Sequence, residues 1–152
     1  MEVETVSARQ PDPVVQFSVF TPNRLGLLRE LVHLLGAHHI HVLALTVLDT
    51  TDSSILRLVL DDPDQARRLL HEKGFPFTES RLVVVEIASP DDLNGIFSAL
   101  LEAELNINYL YSFIPHLRDK SLLALSMEDN DMAEQVLKRH QFAVLRQSDI
   151  LR

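Results

Sequence analysis

The residues that most directly suggest chemistry are Asn23, Arg24, Leu25, Gly26 and Leu27, which stand between a strand-like run, VVQFSVF (Val14 to Phe20), and a helical pattern. The first turn of a helix leaves about four amides without intrahelical acceptors and carries partial positive charge, so it favours an anion. Gly26 has no side chain, which lets a carboxylate come close to those amides. Arg24 can add a charged hydrogen bond, and Asp49, Asp52 or backbone carbonyls would have to accept from the ammonium of an amino acid. Two plainer roles stand beside these: Gly26 lets the helix pack closely on a sheet, and Arg24 is a solvated surface charge.

Other groupings point to other chemistries. His33, His38, His39 and His41 supply imidazoles, the commonest metal ligands. However, His33 falls mid-helix, His38 and His39 fall at a helix end where cations meet the dipole, and no His-x3-His pair or adjacent carboxylate completes a ligand set. A metal sensor stands as an alternative only, and no cofactor is implied. Asp61, Asp62 and Asp64 precede a helix, where Asp62 caps free amides and Pro63 suits the first helical position, a simpler role than acid–base catalysis. Ser53 and Ser54 have no evident base partner, so nucleophilic catalysis is not expected. Tyr109 and Tyr111 alternate onto one face of a strand, where they either line a pocket or form an interface between sheets.

These residues are carried by a unit written twice. A shift of 65 residues places Leu28, Leu31, Val32 and Leu35 on Leu93, Ile96, Phe97 and Leu100, and Ile40 and Val42 on Leu105 and Ile107. A shift of 67 places Ser53 to Leu70 on Lys120 to Leu137, and Phe75 on Phe142. The two extra residues are assigned to the hairpin, TTDS in the first copy and PHLRDK in the second. Each copy reads strand, helix, strand, strand, helix, strand. The first comprises Val14 to Phe20, Arg24 to Ala37, His39 to Leu48, Ser54 to Leu60, Pro63 to Glu72 and Phe75 to Thr78. The second comprises Leu82 to Ala88, Pro90 to Glu104, Asn106 to Ile114, Ser121 to Met127, Asn130 to His140 and Phe142 to Arg146. Gly74 marks a helix end. Two split βαβ units imply an α+β protein in which each antiparallel sheet carries its helices on one face. Residues 14–80 and 81–152 form the two modules after a polar tail at 1–13. The runs VLALTVL and YLYSFI are apolar on both sides, so the uncovered sheet face should pack on another sheet or on a second subunit.

Composition narrows the functional classes. With 152 residues, 46% hydrophobic and 24% charged, the chain suits one domain or two small ones sharing a buried surface. No apolar run approaches the roughly 20 residues that span a bilayer. A net charge of −8 with scattered cations disfavours nucleic acid, and the absence of cysteine excludes disulfides and thiolate sites. The first thirteen residues lack the pattern of a signal peptide, so a cytoplasmic location is expected.

The turn Asn23-Arg24-Leu25-Gly26-Leu27-Leu28, with Ile40-His41-Val42 and Leu105-Asn106-Ile107 opening the next strands of the two copies, resembles the ACT domain, a ferredoxin-like βαββαβ ligand-sensing module. The stretches ALTVLDTTDSSILRLVLDDP (Ala44 to Pro63) and LNINYLYSF (Leu105 to Phe113) resemble small stand-alone tandem ACT proteins, some labelled amino-acid-binding or acetolactate-synthase-related. The resemblance runs from Val14 to the C-terminus. It implies a non-enzymatic regulator that binds an amino acid or small carboxylate between modules, as a homodimer formed by sheet packing or sheet extension, with a metabolic enzyme such as acetolactate synthase as partner. It further implies a ligand site at Asn23, Arg24, Leu25, Gly26 and Leu27, with polar contacts from His41 and Asn106 of neighbouring modules. Leu25 stands where the family has proline and His41 where it has asparagine. In the second copy Asp91 aligns with Gly26, and a carboxylate there repels an anionic ligand, so that loop is expected to be degenerate. A fold retained for interaction, with the ligand lost, is the alternative.

Overall fold

A computed structural model of the chain describes residues 12–22, 26–115 and 121–150. In chain order the elements are β1 (Val14–Pro22), α1 (Leu27–Ala37), β2 (Val42–Asp49), β3 (Ser53–Leu60), α2 (Pro63–Glu72), β4 (Phe77–Ile87), α3 (Asp91–Glu102), β5 (Ile107–Ser112), β6 (Ser121–Met127), α4 (Asn130–Arg139) and β7 (Val144–Leu145), followed by a 3-10 turn at Gln147–Asp149. The strands form one curled sheet in the order β2-β3-β1-β4-β6-β5, with β7 also paired to β4. All pairings are antiparallel.

β4 explains how two units become one sheet. Its first part, from Phe77 to Leu82, pairs with β1, and its second part, from Val83 to Ile87, pairs with β6 and β7. The strands expected at 75–78 and 82–88 are therefore a single strand. The polar stretch Thr78-Glu79-Ser80-Arg81, which reads as a break, stays extended because its side chains find partners off the strand. Glu79 accepts from Arg67 on α2, and Arg81 reaches Asp131 on α4. Cut within β4, each half has the strand order 2-3-1-4 of a βαββαβ unit.

Strand alternation sorts the side chains into three cores. Phe17, Val19, Leu56, Leu58 and Leu60 pack beneath α1 and α2 with Leu31, Leu35, Leu69 and Leu70. Val83, Val85, Leu123 and Leu125 do the same beneath α3 and α4 with Ile96, Leu100 and Leu137. The opposite faces of the two half-sheets close on each other through Val14, Ala44, Val59, Leu82, Val84, Tyr111 and Ala124. The inner part of the face expected to meet another sheet or a second subunit is thus covered by the chain's own other half, while Leu48 and Phe20 at its outer end stay exposed. β5 returns to β2 through the bridge between Ala44 and Phe113 and a 2.8 Å bond from the Ile114 amide to the Leu43 carbonyl.

The duplication reaches backbone detail. Bulges fall between Val42 and Ala44 and between Ile107 and Tyr109. His39 and Glu104 (φ 58° and 55°) occupy the left-handed region at one repeated position, and Gly74 and Gln141 (φ 75° and 69°) at another. Helix starts are also shared: Asp62 accepts from the Gln65 amide at 3.1 Å and Asp129 from the Met132 amide at 3.0 Å. Asp62 and Pro63 take the capping roles expected of them. The second hairpin lies mostly outside the described residues.

Candidate functional site

Gly26 stands at the N-cap of α1 with φ 97° and ψ −18°, a conformation that glycine adopts without the Cβ penalty of other residues. Its carbonyl accepts from the Glu30 amide at 2.9 Å, which starts the helix and leaves the amides of Leu27, Leu28 and Arg29 ahead of the intrahelical ladder. Among the described residues no side chain caps this turn. Among the described residues a Cβ at Gly26 would meet no atom within 4 Å, so the requirement for glycine here comes from backbone conformation and not from tight packing on the sheet. Leu27 is half-buried and opens the helix. Asn23, Arg24 and Leu25 lie outside the described residues.

The corresponding turn of the second half is chemically different. Asp91 opens α3, and the carboxylate of its neighbour Asp92 accepts from the amides of Ala88 at 2.7 Å and Ser89 at 3.2 Å. A carboxylate of the chain itself therefore occupies amides that precede the helix. In the first half no aspartate stands at the equivalent place, since Leu27 follows Gly26 directly.

His41 and Asn106 are also equivalent, and each is engaged within its own half. The His41 amide donates to Asp61 Oδ1 at 2.8 Å, and its ring Nδ1 lies 2.6 Å from Asp61 Oδ2. Asn106 Nδ2 donates to Glu128 Oε2 at 3.0 Å. In both halves this pair ties the start of one hairpin strand to the end of the next, reinforced by backbone bonds from Asp61 to His41 and from Glu128 to Asn106. The eleven residues of α1 separate Gly26 from His41 by roughly 16 Å at the helical rise, so one half does not bring them together. Among the described residues no group of three or more His, Cys, Asp or Glu side chains is placed to hold a metal ion.

Tyr109 and Tyr111 lie in the layer between the two half-sheets, with ring centroids 6.5 Å apart and nearly parallel planes. Their partner is Gln16, a fully buried residue that the sequence reading did not single out. Tyr111 Oη donates to Gln16 Oε1 at 2.6 Å, and Gln16 Nε2 donates to Tyr109 Oη at 2.7 Å and Ser80 Oγ at 3.2 Å. Burial raises the Tyr111 phenol above its ordinary pKa and so keeps it a donor. The signal for Gln16 was a polar residue amid VVQFSVF, but its tyrosine partners come from the other half and were invisible without the register.

A family model described as an ACT domain pair matches residues 13–152. The crystal structure of a Bacteroides thetaiotaomicron protein is similar with a TM-score of 0.84 at 26% identity, covering 91% of this chain and 96% of that one. The ligand-free regulatory subunit of aspartate kinase from Thermus thermophilus has a TM-score of 0.58 at 14% identity, over 86% of this chain and 94% of that one. The regulatory subunit of aspartate kinase from Thermus flavus gives 0.56 at 14% identity, over 87% and 94%. At 14% identity the two kinase subunits share the fold. A search of curated protein sequences gives no match. The family match spans both βαββαβ units and the glycine turn that opens the first of them, and the chain belongs to the ACT domain pair family.

Proposed function

We propose that the protein is a non-catalytic regulator that binds an amino acid or similar small carboxylate at the turn before α1. The observation that carries this reading is the contrast between the halves. Neither helix start has a side-chain cap among the described residues, but before α3 the Ala88 and Ser89 amides donate to Asp92 and the Asp92 and Leu93 amides donate to the Ser89 and Pro90 carbonyls. Among the described residues no such partner stands at the Leu27 and Leu28 amides. Uncovered amides at a helix start and the absence of a Cβ together favour a carboxylate. The ligand residues of this reading are Asn23, Arg24, Leu25, Gly26 and Leu27, the last of which begins the helix.

Because α1 separates Gly26 from His41, a ligand that touches both sits between modules of two chains. This supports a homodimer, with His41 or Asn106 of one chain facing the Gly26 turn of another. Residues 14–80 and 81–152 act as the two modules. The regulated partner is an enzyme of amino-acid metabolism, acetolactate synthase among the candidates, and the setting is the cytoplasm. Among the described residues no helix is long and apolar enough to cross a membrane.

A second reading is favoured by the engagement of both His41 and Asn106 in pairs within their own halves. In it the chain keeps the fold for interaction and has no ligand. Isothermal titration against the twenty common amino acids separates the two. The sensing reading expects at least one binder, weakened tenfold or more by Gly26→Asp, which corresponds to about 1.4 kcal/mol. Silence across the panel would leave the interaction reading.

A further inference from the structure

The face of the first half-sheet that looks toward the second half changes character row by row. Innermost, Ala44, Val59 and Gln16 are cross-strand neighbours and buried. In the next row, Thr46 on β2, Arg57 on β3, Ser18 on β1 and Thr78 on β4 are successive cross-strand partners. Such partners stand on one face of a sheet. In the outermost row Leu48, Ile55 and Phe20 are partners, and Leu48 and Phe20 are 46% and 39% exposed. A single cation flanked by hydroxyls therefore lies between a buried interior and an open apolar strip.

The duplicated fold does not require this polar row. Its equivalent in the second half is Tyr111, Ala124, Val84 and Leu145, linked by the same pairings and buried or half-buried within the layer between the sheets. Arg57 is half-buried, and among the described residues its guanidinium makes no ion pair or hydrogen bond. It lies over the face of Tyr109, with Cζ 3.8 Å from the ring centroid. Stacking occupies a guanidinium face and leaves the N–H groups of its edge able to fork onto a carboxylate. Tyr109 Oη accepts from Gln16, so its own O–H remains available to donate.

We propose that this row is a second binding site, for a monocarboxylate with an apolar body. The carboxylate rests on Arg57, Tyr109 Oη and the hydroxyls of Thr46 and Ser18, and the apolar body covers Leu48, Ile55 and Phe20. Arg57 repels an amine at this place, and a second carboxylate would lie unpaired on the apolar strip.

Hexanoate, acetate and hexylamine, titrated calorimetrically into the full chain, test the site. Hexanoate is expected to bind, acetate at least tenfold more weakly, and hexylamine not at all. Arg57→Gln should weaken hexanoate tenfold or more, and Gly26→Asp should leave it unchanged, which separates this site from the one before α1. Leu48→Asp, at an exposed position, should abolish hexanoate binding by charge and decides the matter if Arg57→Gln does not fold. The proposal is overturned by the absence of hexanoate binding, or by loss of that binding with Gly26→Asp. Undiminished binding in folded Arg57→Gln or in Leu48→Asp overturns it equally. So does a dimer that Leu48→Asp dissociates, since a second copy would then cover the strip.

Discussion

Replacing Gln16 with leucine probes the polar layer that joins the two halves. Gln16 is fully buried, accepts from Tyr111 Oη at 2.6 Å and donates to Tyr109 Oη at 2.7 Å. Leucine suits the strand, because Leu82 holds the matching place in the second half with 2% exposure. The loss is therefore chiefly that of an acceptor for the Tyr111 hydroxyl, on a residue only 8% exposed. Leaving a buried donor unsatisfied costs about 1–3 kcal/mol. Taking about 2 kcal/mol, and about 2–4 °C per kcal/mol for a chain of this size, Tm should fall by roughly 4–8 °C. Tyr111→Phe removes the orphaned donor. The double variant Gln16→Leu/Tyr111→Phe should be more stable than the sum of the single effects by at least about 1 kcal/mol. Urea unfolding of the four proteins followed by circular dichroism measures this coupling. Additive effects, or a Gln16→Leu chain as stable as the parent, would refute the assignment of a coupled buried network.

Gln141 adopts the left-handed conformation that glycine holds at the matching position 74, so Gln141→Gly should stabilise the chain by about 1 kcal/mol and raise Tm by roughly 2–4 °C in calorimetry. Unchanged or lower stability would show that Gln141 is not strained. Asp92→Ala removes the carboxylate that holds the Ala88 and Ser89 amides, and should cost about 1 kcal/mol by the same measurement. A neutral result would mean that water satisfies those amides equally well.

Much of the fold was legible because the apolar positions repeat at fixed shifts and because Asp62, Pro63 and Gly74 mark helix ends in a way that backbone geometry dictates. Glu104 and Gln141 were not legible as left-handed positions, since neither is a glycine. The continuity of β4 was hidden because Glu79 and Arg81 look like turn residues until their partners are in place, Arg67 from the preceding helix and Asp131 from a helix distant in sequence. At the candidate site, the capacity of the Gly26 turn could be read locally, as could the presence of acid in the other turn. Which acid mattered could not: Asp91 was aligned with Gly26, but Asp92 makes the amide bonds. The row of Thr46, Arg57, Ser18 and Thr78 comes from four strands, and only their register assembles it.

In the proposed function, the turn before α1 takes a carboxylate ligand while its counterpart before α3 is satisfied by its own chain. Amide nitrogen and proton shifts, followed by NMR during titration with the amino acid selected by calorimetry, test it most directly. The largest shifts are expected at Gly26, Leu27 and Leu28, with Ala88 and Ser89 unmoved. Largest shifts at Ala88 and Ser89, or none at Gly26 to Leu28 at saturation, would contradict it.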